Sequence, residues 1–152
     1  MNEEKKMKLL CYARENGEVP FLEYMMKYES KESDSEKEIE QKAKHILHIK
    51  DVLIYLYEHK GSYNLAITEQ YKKRDFGILK IKEGKSLIRI GFYTIVGEEI
   101  VLLDVYDKPN KYGNFAKGKN VNKIIQEALD TFEAYKEDYL KNRMSVPIPF
   151  DL

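Results

Sequence analysis

Residues 78 to 108 read ILKIKEGKSLIRIGFYTIVGEEIVLLDVYDK, three short segments of alternating apolar and polar residues split by Glu-Gly-Lys and by Val-Gly-Glu-Glu. Strict alternation marks a half-buried strand, and a glycine inside a break of a few residues marks a tight turn. The run is therefore expected to fold as a three-stranded antiparallel meander. With Gly84-Lys85 and Gly97-Glu98 as two-residue turns, glycine supplies the positive φ that such turns demand. Ile81 then faces Ile88, Leu79 faces Ile90, Ile90 faces Val105 and Phe92 faces Leu103, which makes one sheet face wholly apolar. A slip of one residue would set Lys80 against Ile88, so the pattern selects its own register. On the second face Lys80 meets Arg89, Arg89 meets Tyr106, Gly91 meets Asp104 and Tyr93 meets Leu102. That face is basic and aromatic, with a glycine gap near its centre.

The flanking segments supply one more strand and the helices. Met7 to Arg14 reads as a first strand ended by Asn16-Gly17, and Pro20 suits the start of a short helix over Phe21 to Tyr28. Ser33 with Glu36, or Ser35 with Glu38, forms a capping box before a longer helix. Its Ile39, Ala43, Ile46, Leu53 and Tyr57 recur at helical spacing to about His59, and Gly61 suits its stop. A polar loop, Ser62 to Gly77, leads into the meander, and Pro109 to Lys119 is a second polar loop. Asn120 caps a last helix with Val121, Ile124, Ala128, Phe132, Tyr135 and Tyr139 on one side. The Pro-rich tail, residues 141–152, is expected to be extended or mobile. The order predicts an α+β fold, a single domain over 1–152 with helices layered on the apolar sheet face.

The 26 basic and 26 acidic residues cancel over the chain but are unevenly spread. Ile67 to Lys123 holds twelve Lys or Arg against seven Asp or Glu, which leaves fourteen against nineteen elsewhere. A basic middle points modestly to a polyanion surface. A lone Cys11, no apolar stretch of membrane-spanning length and a polar, charged start to the chain fit a cytoplasmic protein with no membrane partner. His45 and His48 lie three apart on a helix, but no third ligand accompanies them, so no metal is expected. Phosphate-loop glycines, paired cysteines and nucleophile signatures are absent, and no cofactor is expected.

What remains is the basic face, where Lys80, Lys82, Arg89, Tyr93 and Tyr106 converge with Lys108 just beyond. Cutting RNA through its ribose 2′-hydroxyl requires that hydroxyl to lose a proton, the five-coordinate phosphate to be neutralised and the leaving oxygen to be protonated. A guanidinium offers the phosphate a planar fork of donors and stays charged. A lysine crowded by another cation holds its proton less tightly and becomes a candidate base. A tyrosine can stack on an exposed base or donate a proton. The plain alternative is a solvated face, since sheets often carry Lys and Tyr outward.

The segments GILKIK, SLIRIGFYT, EEIVLLDVYDK and IIQEALDTFEAYKEDY, in this order, resemble the RelE superfamily of bacterial toxins, in particular its phage-derived, HigB-like branch. The start, MKLLCYARENGEVPFLEYM, is similar to that branch's first strand, glycine turn and Pro-led helix. The resemblance runs from Met7 to Tyr139. It implies a RelE-like antiparallel sheet, an N-terminal strand plus the meander, packed against two N-terminal helices with a C-terminal helix. It also implies an mRNA interferase, a toxin of a toxin–antitoxin pair that cleaves messenger RNA on the ribosome. Its partner would be a helix-turn-helix antitoxin. The family's central-strand arginine falls on Arg89, for the scissile phosphate. Lys80 or Lys108 would assist proton transfer or charge neutralisation, and Tyr106 would stack or donate. Lys72, Lys73, Arg74, Lys82, Tyr93, Lys111, Tyr112, Lys117 and Lys119 complete the expected RNA-binding set. The chain departs from the family in being neutral overall, and Asp104 and Asp107 would repel a phosphate unless paired with Arg89 or Lys108. The competing readings are a gyrase-inhibiting, ParE-like toxin and a phage-derived, non-toxic RNA- or protein-binding protein.

Overall fold

The computed structural model describes residues 6–70, 73–109 and 119–151, with backbone alone at 119 and 120. Its meander consists of β3 (Gly77–Glu83), β4 (Ser86–Ile95) and β5 (Glu99–Lys108). Three further strands flank it: β1 (Lys8–Tyr12), the two-residue β2 (Thr68–Glu69) and β6 (Ser145–Pro147). Together they form one six-stranded sheet in the order β2-β3-β4-β5-β1-β6. The helices are α1 (Pro20–Met25, extended by a 3₁₀ turn to Tyr28), α2 (Glu36–Glu58) and α3 (Lys119–Asn142). The fold is α+β, but the sheet is mixed, because β1 pairs with β5 in parallel.

The first hairpin has the register that alternation demands, with Leu79 opposite Ile90, Lys80 opposite Arg89 and Ile81 opposite Ile88. Gly84 sits at φ +58° in its two-residue turn. The second turn is one residue longer than expected. Ile95 pairs with Glu99 across Val96-Gly97-Glu98, Gly97 adopts φ +76°, and the Glu98 N–H donates to the Ile95 carbonyl at 2.9 Å. Phe92 therefore faces Leu102, not Leu103, and Tyr93 faces Val101, not Leu102. A bulge between Gly91 and Phe92 takes up the extra residue on β5. Below it the expected pairs return: Gly91 with Asp104, Ile90 with Val105, Arg89 with Tyr106.

The sheet is covered on both faces, not on the apolar face alone. On the first face Leu79, Ile81, Ile88, Ile90, Phe92, Ile100 and Leu102 pack against Phe21 of α1 and Ile49, Leu53 and Leu56 of α2. Ser35 caps α2 and closes a capping box with Glu38, so the second of the two candidate boxes forms. The helix turns Leu53 inward as expected but leaves Ile39 and Ala43 exposed, because the core stripe runs through Ile49, Leu53 and Leu56. On the second face α3 lays Leu129, Phe132 and Tyr139 over Tyr12, Ile78, Val101 and Leu103. Gly91 is what admits it. A Cβ there would lie 2.5 Å from the Phe132 ring, so the glycine gap of the sequence is a socket for Phe132. Val121, Ile124 and Ala128 are only half-buried, and Ile125 and Leu129 take their place on the packed stripe.

The tail is extended and packed. β6 pairs antiparallel with β1, and Ile148 and Phe150 join the first-face core. Among the described residues no helix is long and apolar enough to cross a membrane.

Candidate functional site

Alternation along three paired strands builds the cationic end of the second face row by row. The first row is Lys80, Arg89 and Tyr106, each directly opposite the next. Two residues further along each strand, on the same face, Lys82 lies opposite Leu87 and Leu87 opposite Lys108. Lys80, Arg89, Tyr106 and Lys108 are half-buried and Lys82 is exposed. Tyr106 borders the α3 layer, its ring centroid 5.8 Å from that of Phe132. One guanidinium nitrogen of Arg89 donates to the Ile88 carbonyl at 3.2 Å, which steadies the side chain and leaves its other donors for a ligand.

Among the described residues Lys80, Lys82, Arg89 and Lys108 form no ion pair, as most described lysines form none, while Arg14, Lys27, Lys42, Arg74, Lys123 and Arg143 each do. The same alternation explains the missing acids. Asp107 stands between Tyr106 and Lys108 in sequence, so its side chain leaves on the opposite face. There Lys27 binds it at 2.9 Å and the Tyr24 hydroxyl donates to it at 2.6 Å. Glu83, next to Lys82, likewise turns to the first face and meets both His45 and His48 of α2. The two histidines thus meet one carboxylate. Among the described residues no group of three or more ligating side chains is placed to hold a metal. Asp107 thus pairs with Lys27, and among the described residues neither Asp104 nor Asp107 is paired with Arg89 or Lys108.

Asp104 is half-buried on the same face as the cations. Desolvation raises its carboxyl to about 6, nearby Glu23 adds to the rise, and the hydrogen bond from the Val105 N–H opposes it. With its carboxyl at about 6, Asp104 is still mostly ionised at neutral pH and remains an anion on this face, opposite Gly91. Cys11 is no nucleophile, since its thiol is buried and pushed up to about 12 by desolvation.

The other residues expected to contact RNA divide three ways. Lys82 belongs to the cationic face, and Lys73 is exposed before β3 at φ +71°. Arg74 is committed to α3, with Glu133 at 2.7 Å and Asp130 at 2.9 Å. Tyr93 packs against the α3 cluster on the far side of Gly91, away from Arg89. Lys72, Lys111, Tyr112 and Lys117 lie outside the described residues, as does the side chain of Lys119. Two features of this end escaped the sequence reading: the Glu83–histidine contacts, and Leu87, an apolar floor between Lys82 and Lys108. The orientation of Asp107 was readable, because the alternation that aligns Tyr106 with Lys108 turns it away.

The arrangement can bind a multiply charged anion along two rows about one strand repeat apart. Arg89 lies at its centre and Tyr106 offers a ring at its edge. Compared with known proteins, the chain matches no family model and no curated protein significantly.

Proposed function

We propose that this protein is a RelE/HigB-like toxin, a ribosome-dependent endoribonuclease that cuts messenger RNA by attack of a ribose 2′-hydroxyl on the adjacent phosphate. One observation carries the reading: Lys80, Arg89 and Tyr106 stand in direct register on a face whose four cations form no ion pair among the described residues. The α+β architecture is compatible with it, as is the resemblance of residues 7–139 to the HigB-like branch.

In this reading Arg89 holds the scissile phosphate and stabilises the charge that builds on it in the five-coordinate state. Lys80 or Lys108 serves the proton transfers or neutralises the phosphate, one proton leaving the 2′-hydroxyl and one reaching the departing 5′ oxygen. Tyr106 stacks on a base or donates. The partner in this reading is a helix-turn-helix antitoxin that silences the enzyme.

Induced expression with mapping of transcript ends tests it. Growth arrest with cleaved transcripts is expected, and Arg89→Ala should abolish both while leaving the fold intact. Full toxicity of Arg89→Ala removes the site. Arrest with intact transcripts and a DNA-damage response moves the protein to the gyrase-inhibiting class. Silent overexpression moves it to non-toxic RNA or protein binding.

A further inference from the structure

Between α1, α2 and the tail lies an open groove of about 530 Å³. Its apolar lining comes from Val19, Leu22, Met25, Met26, Ile46 and Phe150. Met26 is 59% exposed, and Leu47, beside Ile46, is 57% exposed. Ile39 and Ala43 continue the stripe, seven and three residues before Ile46 and therefore on the same helical side, and both stay exposed. Apolar surface concentrated in this way marks a contact surface more often than scattered exposed residues do.

The charged residues lining the groove are all acidic: Glu18, Glu23 and Glu29. Glu18 is paired with Arg14, while Glu23 and Glu29 form no ion pair among the described residues. The groove also belongs to the acidic part of the chain, outside the basic stretch 67–123. Its lining residues come from α1 and the segments beside it, from α2, and from Pro149 and Phe150, which follow the edge strand β6. An apolar groove walled by two helices is the kind of surface that takes the apolar face of an amphipathic helix, read through its side chains.

We infer that this groove receives a basic amphipathic helix of a partner protein, apolar side chains seated over Met25, Met26 and Ile46 and Lys or Arg side chains meeting Glu23 and Glu29. The inference is independent of the chemistry at the cationic face. An anionic membrane surface is disfavoured by the acidic rim, and a second copy of this chain is the other occupant the experiment must separate.

A display library of random 14-residue peptides, selected on the full-length protein, tests it. The enriched peptides should be amphipathic at helical spacing and net positive. Their affinity should fall at least about tenfold for Met26→Glu and for the Glu23→Lys/Glu29→Lys double variant. All three positions are exposed, so these variants keep the fold, which circular dichroism verifies. Failure to enrich any peptide overturns the inference, as does enrichment of acidic peptides or binding unaffected by the variants. Sedimentation showing a dimer that Met26→Glu dissolves also overturns it, in favour of self-association.

Discussion

The two ends of the second sheet face are built from the same three strands and behave as opposites. Above Gly91 the face is apolar, roofed by α3, and the adjoining cations are consumed: Arg74 by Asp130 and Glu133, Arg143 by Glu99. Below Gly91 the face carries four cations with no ion pair among the described residues, and the acids of those strand ends point the other way. Gly91 marks the boundary, because it lets Phe132 sit against the sheet and anchors the roof where the bulge begins. The closed end supplies stability and the open end supplies charge, so substitutions should separate the two.

The largest effect should fall on the closed end. Phe132→Ala removes a fully buried ring and should cost about 3–5 kcal/mol in urea or thermal unfolding. A loss under about 1 kcal/mol would mean that α3 is not anchored there. Gly91→Ala drives a methyl into the same ring and should cost about 1–3 kcal/mol. In the Phe132→Ala background that cost should largely vanish, and a double-mutant cycle measures the difference. Additive losses would separate Gly91 from the socket.

Asp104 lies at the boundary and should respond in the opposite direction. Its folded pKa is raised to about 6 from 3.8, so between those values the folded state holds a proton that the unfolded chain has lost. Stability therefore falls as pH rises from about 4 to 6, and the penalty stays above that range. Asp104→Asn should stabilise the protein by about 2 kcal/mol at pH 7 and flatten that part of the pH profile. An unchanged slope would show that Asp104 is well solvated. The smallest stability effects should distinguish the cations themselves. Arg74→Ala should cost about 1 kcal/mol, because it leaves Glu133 and Asp130 unpaired. Lys80→Ala and Arg89→Ala should stay within about 0.5 kcal/mol.

The boundary also divides what the sequence discloses from what it hides. The row Lys80–Arg89–Tyr106 was legible because two local departures cancel: the second turn is one residue longer than expected, and the bulge beside Gly91 restores the register below it. Above the bulge, where nothing compensates, the expected partners of Phe92 and Tyr93 were off by one. The roof was illegible because Gly91 reads as an empty place in a single strand, and only tertiary packing reveals the ring that fills it. The parallel pairing of β1 with β5 and the short β2 and β6 depend on distant partners that local periodicity does not encode. Capping was local and so was readable, as Ser35 and Glu38 illustrate. The pairing of Arg74 with α3 joins residues some 60 apart in the chain, beyond the reach of spacing rules.

In the proposed reading the open end, and not the charge of the chain as a whole, binds a polyanion. The salt dependence of binding to a single-stranded RNA oligonucleotide tests it most directly, since each phosphate neutralised contributes about −0.7 to the slope of log K against log salt. The slope should become shallower by about 0.7 in Arg89→Gln and by about 3 when Lys80, Lys82, Arg89 and Lys108 are all replaced by Gln. Arg74→Gln should leave it unchanged. An Arg89→Gln slope equal to the wild type, with a shallower slope in Arg74→Gln, would contradict the account.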